Sequence, residues 1–245
     1  MQPDLLSKLL LDDIGDRHVH SLYQELATSR RNGHIYRALR KSECSPTNQN
    51  ENWEMTPMEF GDSLEKVSSE VLVCTKCRLC ETRQHAVPGE GLGSAKVLFV
   101  GEAPGEQEDL QGRPFVGAAG KLLTELLQSV NIRREDVYIT NTVKCRPPNN
   151  RPPRKDESAA CRPYLDRQIA LIRPAVVCPM GNSAIQTFLD SDKSVTALHG
   201  IPFEIKSVTY FPMYHPAAAL YTFSLRKVME EDFRKLRALL DSVAD

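Results

Sequence analysis

An α/β fold is what this sequence predicts, in the form of a three-layer α/β/α sandwich around a central four-stranded parallel sheet. Two observations carry that expectation. Four short apolar runs, each flanked by turn residues, are separated by segments with helical periodicity, the alternation that gives a parallel sheet covered on both faces. The segments that follow three of those runs are also unusually long or rich in chemically active residues, as expected where a ligand sits beyond the carboxyl ends of parallel strands.

Taken in order, residues 1–55 read as an N-terminal extension, weakly ordered or helical, that ends in the polar, turn-rich stretch Lys41–Asn52. Its basic set Arg30, Arg31, Arg37, Arg40 and Lys41 fits a charged solvated face better than a DNA-contacting helix. Residues 56–245 form the main domain. Phe60, Leu64, Val67 and Val71 fall at helical intervals, so a helix over 58–73 delivers the chain to Cys74. The four strands are Val97–Val100, Val137–Thr140, Ala175–Cys178 and Tyr210–Tyr214, apolar enough to be buried on both faces. Lys121–Val130, Glu157–Ile172, Ser183–Leu189 and Phe233–Leu240 have the periodicity of helices, and Ala197–Ile205 suits a small hairpin.

Composition narrows the function classes. With 245 residues, 41% hydrophobic and 26% charged, the chain has enough apolar content for a sizeable core. No run of about 18 apolar residues exists to span a bilayer, and the leucines near Met1 are interrupted by Asp4, Lys8 and Asp12, so a cytoplasmic protein without membrane contact is expected. Seven cysteines without a secretion signal point to reduced thiols available for metal or catalysis. A formal charge of -1 means that any nucleic-acid surface must be local.

Four cysteines stand out: Cys74 and Cys77 in a Cys-x-x-Cys pair, Cys145 directly after the second strand, and Cys161 further on. Four thiolates suit a tetrahedral zinc or an iron–sulfur cubane, and spacing does not separate the two. Cys80 is a rival ligand, although Cys80, Cys44 and Cys178 read more simply as small apolar side chains. Glu102, Asn141 and His215 each follow a different strand, and their convergence is the signature of a binding pocket.

The runs Gly101-Glu-Ala-Pro-Gly-Glu-Gln-Glu-Asp109, Gly112-Arg-Pro-Phe-Val-Gly117, Asn141-Thr-Val-Lys-Cys-Arg-Pro-Pro148 and His215-Pro-Ala-Ala218 resemble the family 4 uracil-DNA glycosylases. The resemblance covers residues 70–240, and the four motifs interlock with the four cysteines in the same order. It implies a [4Fe-4S] cluster on Cys74, Cys77, Cys145 and Cys161, and a DNA-repair enzyme that hydrolyses uracil from single- or double-stranded DNA by flipping the base and stabilising the uracil anion. A monomer is expected.

The residue types suit that chemistry. His215 donates a hydrogen bond to the departing base, and Asn141 offers a donor and an acceptor to the uracil edge, which separates it from cytosine. Phe115, in a polar loop with no evident core to join, stacks on the base. Gly101 lets backbone approach closely, and Ala103 stands where the wider superfamily often has a water-positioning aspartate, so the resemblance implies that leaving-group stabilisation carries more of the barrier, with water held by main chain or by Glu102. Glu108 walls off the thymine methyl, Leu220 plugs the space left by the flipped base, and Arg146, Arg151, Arg154 and Lys155 contact phosphates. The rival reading is a non-catalytic iron–sulfur protein that binds nucleic acid beside a DNA polymerase. Such a module has no need for Asn141, Phe115 and His215 at the ends of separate elements.

Overall fold

A computed structural model of the chain describes residues 61–189, 193–205 and 207–243. The expectations for residues 1–55 lie outside the described residues.

Helix α1 (Leu64–Leu72) starts where the Ser63 hydroxyl accepts the Lys66 N–H at 3.2 Å, and buries Val67 and Val71, one turn apart on the same face. The strands are β1 (Glu90–Gly91), β2 (Val97–Gly101), β3 (Tyr138–Asn141), β4 (Val176–Pro179), β5 (Phe203–Ile205) and β6 (Val208–Tyr210), in the spatial order β1-β3-β2-β4-β6-β5. The four central strands β3, β2, β4 and β6 run parallel, as the sequence predicted. The sheet nevertheless has six strands and is mixed, because β1 and β5 add antiparallel edges. A two-residue strand holding Glu90 and Gly91 has no apolar pattern to betray it.

Alternation along β2 sends its side chains to both faces of the sheet. Val97 and Phe99 join one core with Leu122, Leu123, Leu126 and Leu127 of α3 (Ala118–Ser129) and with Met229, Phe233 and Leu236 of α8 (Ser224–Val243). Leu98 and Val100 face the other core, with Leu165, Ile169 and Ile172 of α4 (Lys155–Ile172). Three layers result. A third cluster around Val67, Val71 and Leu79 packs α1 and the cysteine turn against Cys145, Cys161 and Tyr164.

The remaining helices are α2 (Glu106–Gln111), α5 (Asn182–Phe188), α6 (Val195–Leu198) and α7 (Pro216–Tyr221). The long segment after β2, read from sequence as loop, contains α2. The expected strand Tyr210–Tyr214 overlaps β6 only at Tyr210: β6 begins earlier, at Val208, and regular pairing ends before Pro212, which has no N–H to donate. The parallel bonds continue even so, from Phe211 N–H to the Val177 carbonyl and from Met213 N–H to that of Pro179. The expected hairpin over 197–205 lies further along, as β5 paired with β6. Among the described residues, no helix is long and apolar enough to cross a membrane.

Candidate active site at the carboxyl edge of the sheet

Parallel register brings the strand ends together. Gly101, last in β2, pairs with Asn141, last in β3. Next to β2 on its other side β4 ends at Pro179, and the bridge from Met180 to Met213 carries the edge on towards His215. A cleft of about 520 Å³ opens there, lined by Glu102, Ala103, Glu108, Phe115, Asn141, Arg151 and His215 among others. The three residues singled out at separate strand ends thus share one pocket.

Asn141 is 1% exposed, and neither its carboxamide oxygen nor its nitrogen has a hydrogen-bond partner within the protein. A buried polar group without a partner costs about 1–3 kcal/mol, so a pocket-lining amide of this kind points to a ligand. Room for it depends on Gly101: a Cβ there would lie 2.4 Å from Asn141 Oδ1 and 2.7 Å from Phe115 Cζ.

Phe115 sits at φ 52°, in the left-handed region that a bulky side chain seldom adopts. Its surroundings hold it there. The Glu108 carboxylate accepts the N–H groups of Val116 and Gly117 at 2.9 Å and that of Gly105 at 3.1 Å. From the other side, Arg134 donates to the Pro114 carbonyl at 2.7 Å and to Glu90 at 2.9 Å. Contrary to the sequence expectation, Phe115 has a core to join, since it belongs to the buried cluster that includes Leu122 and Leu123, while it also lines the pocket, its ring 5.5 Å from the imidazole of His215.

His215 caps α7. Its Nδ1 accepts the Ala217 N–H at 3.1 Å, and Pro216 between them has no N–H to compete. An acceptor at Nδ1 leaves the proton on Nε2. Burial pushes the imidazole pKa down to about 4, against a smaller opposite effect of Glu108, so the ring is neutral at physiological pH and presents Nε2–H as a donor.

Other expected residues fall less simply. Glu108 lines the pocket, but its carboxylate is bonded to three main-chain amides. Leu220 is half exposed on α7, outside the pocket lining, with Tyr221 and Phe223 more exposed beyond it. Arg151 is gripped in a two-pronged ion pair by the fully buried Glu157, whose own pKa that guanidinium lowers to about 2. Arg146 donates to Asn150 at 2.8 Å, whereas Arg154 and Lys155 are exposed at the start of α4. Sequence reasoning missed Met180, Gly181, Asn182 and Ser183, which line the pocket after β4; Gly181 at φ 84° is the trace they left.

A second cleft gathers Cys74, Cys77, Cys145 and Cys161, together with Cys80. N–H donors already face three of these sulfurs: Arg83 Nη1 at 3.0 Å from Cys145, the Lys144 amide at 3.2 Å from Cys161 and the Lys76 amide at 3.5 Å from Cys74. Such donors are what a charged sulfur centre accepts. Among the described residues, no set of three or more His, Cys, Asp or Glu side chains forms a ready group for a single metal ion. Cys178 lies apart, buried in β4.

Fold and cleft together define an α/β domain with a pocket of small-molecule size at the carboxyl edge of its sheet. A sequence profile described as the Uracil DNA glycosylase superfamily matches residues 88–239. The chain belongs to that superfamily. Over 187 residues it is 51% identical to a Type-4 uracil-DNA glycosylase of Sulfurisphaera tokodaii, covering 73% of this chain and 85% of that one. A Type-4 uracil-DNA glycosylase of Archaeoglobus fulgidus is 47% identical, over 73% of this chain and 94% of its own. A DNA polymerase of Bacillus phage SP01 is 33% identical over 66% of this chain, which matches only 18% of the polymerase.

Proposed function

We propose that this protein is a uracil-DNA glycosylase of DNA repair, which hydrolyses the bond between uracil and deoxyribose and leaves an abasic site. The observation that carries the reading is Asn141, a buried carboxamide that lines the pocket with both polar atoms free of protein partners. Its Nδ2 donates to O4 of a flipped uracil and its Oδ1 accepts from N3–H, a pattern that cytosine reverses. Phe115 stacks on the base, a contact worth about 1–3 kcal/mol.

As the glycosidic bond breaks, its electron pair stays with the base and positive charge builds on the sugar. His215 Nε2–H donates to the carbonyl oxygen on which that negative charge collects. One preorganised donor of this kind contributes about 3–4 kcal/mol. Ala103 cannot take a proton, so water reaches the sugar held by Glu102 and nearby main chain, and its proton passes to solvent after bond cleavage. The arginines and Lys155 around α4 attract phosphate, with Arg151 committed first to Glu157.

Cys74, Cys77, Cys145 and Cys161 would hold a [4Fe-4S] cluster, which fits the donor set described above. The cluster supplies a structural tie when bound. Bound by these four cysteines, it would tie the turn after α1 to the segment that follows β3 and to α4.

The test is to incubate purified protein with a single-uracil oligonucleotide and then treat with alkali. Cleavage at the uracil position, absent with His215→Ala, is the expected result; intact strands at generous wild-type enzyme would reject the glycosylase assignment. Iron and sulfide analysis of the same preparation decides the cluster, with about four of each per chain expected.

A further inference from the structure

Lys144 was read from sequence as part of a motif and nothing more, yet it is 1% exposed and among the largest fully buried side chains. Its ammonium donates to Thr140 Oγ1 at 2.5 Å, to Gln168 Oε1 at 2.7 Å and to the main-chain carbonyl of Asn141 at 2.8 Å. All three acceptors are neutral. Burying an ammonium among neutral oxygens costs several kcal/mol, and a methionine would fill the same space without that cost, so packing does not account for a lysine here.

What the ammonium does hold is specific. Thr140 and Gln168 are themselves tied to the Pro88 carbonyl, at 2.9 and 2.8 Å, which anchors the network to the segment leading into β1 and to α4. The Lys144 main chain is occupied as well: its carbonyl accepts the Val87 N–H at 2.7 Å and its amide faces Cys161. One residue is therefore bonded to the cysteine cleft through its backbone and to the end of β3 through its side chain. Asn141 is the residue at that end, and its carboxamide has no hydrogen-bond partner within the protein to orient it.

We propose that Lys144 is a positioning residue for base recognition: its ammonium fixes the Asn141 main chain and so aims the carboxamide at the uracil edge. The inference rests on the glycosylase reading and deepens it. An ammonium offers three donors in fixed tetrahedral directions, enough to lock three oxygens at once. Displacing a recognition group by about 1 Å costs on the order of 100-fold in rate, so a partial loss of that lock is visible in kinetics.

The experiment is a double-mutant cycle between Lys144→Met and Asn141→Ala, read by kcat/KM on uracil-containing DNA and by the inhibition constant of free uracil. In the wild-type background Lys144→Met lowers kcat/KM by about tenfold or more and weakens free-uracil inhibition to a similar degree, while in Asn141→Ala the same change costs less than about twofold. A lysine that only supported the fold would reduce both backgrounds equally and leave uracil inhibition unmoved, which would overturn the proposal. Should Lys144→Met fail to fold, Thr140→Val removes one acceptor; it is expected to lower kcat/KM about threefold with Asn141 present and not at all without it. Equal losses in the two backgrounds would again defeat the idea. Inactive wild-type protein removes the functional reading and this inference together, whereas active wild type with a neutral Lys144→Met removes this inference alone.

Discussion

Adding one methyl group at Gly101 separates fold from function more cleanly than deleting a catalytic side chain. Gly101 closes β2 beside Asn141, and its backbone is ordinary extended strand, so alanine meets no conformational strain there. Its Cβ would instead lie 2.4 Å from Asn141 Oδ1 and 2.7 Å from Phe115 Cζ, both closer than the 3.0 Å that such contacts respect. The carboxamide must then retreat by about 3.0 − 2.4 = 0.6 Å and the ring by about 3.0 − 2.7 = 0.3 Å. Overpacking of this sort costs about 1–3 kcal/mol of stability. A loss of that size leaves the protein folded, but the displaced atoms are the two proposed to meet the base, so excision falls as well, by about tenfold to 100-fold. The assay is single-turnover excision of uracil from an oligonucleotide, with thermal melting in parallel. Gly101→Ala within threefold of wild type would refute the claim that Asn141 and Phe115 form the base-binding surface.

Further outcomes follow from the same geometry. Because His215 acts neutral and burial places its pKa near about 4, kcat/KM should stay flat from pH 8 to about 5 and fall only below; an acid limb centred at 6–7 that disappears in His215→Gln would contradict this. The linked effect on folding has a definite sign: an unfolded histidine takes up its proton near 6.5, so this contribution to stability is complete above that pH and is lost as pH falls from about 6.5 through about 4, measurable by urea melts across that window. Glu108→Gln removes an anionic acceptor shared by three amides and should lower stability by about 2 kcal/mol and weaken free-uracil inhibition about tenfold, whereas unchanged inhibition would show that the Phe115 loop needs no such support.

Much of the site was legible because residues with unusual chemistry stood at the ends of apolar runs. Asn141 and His215 were found that way, and parallel register explains why strand ends mark one place in space. Phe115 was legible as a pocket residue, for which stacking is proposed, but its place in the buried cluster that also holds Leu122 and Leu123 depends on how α3 packs and does not show in the sequence. Lys144 escaped notice because a lysine beside a cysteine reads as surface, and only the fold brings Gln168 and Thr140 around it. Glu108 three residues after Gly105 is a legible capping pattern, whereas its bonds to Val116 and Gly117 depend on where the chain returns. The edge strands β1 and β5 were hidden by brevity, since two or three residues carry too little alternation to show a period.

The turn that begins α7 also gives the chemistry a direction. With the Ala217 amide occupying one ring nitrogen, the imidazole has a proton to offer and no lone pair left to receive one. A histidine held in this state eases the exit of an electron-rich heterocycle but does nothing to sharpen an incoming nucleophile. With His215 in its proposed role, the liberated pyrimidine would depart as its conjugate base and recover its proton in bulk solvent. While it stays, it would face the same imidazole that favoured its formation, which on the proposed reading makes release of the free base a natural brake on turnover.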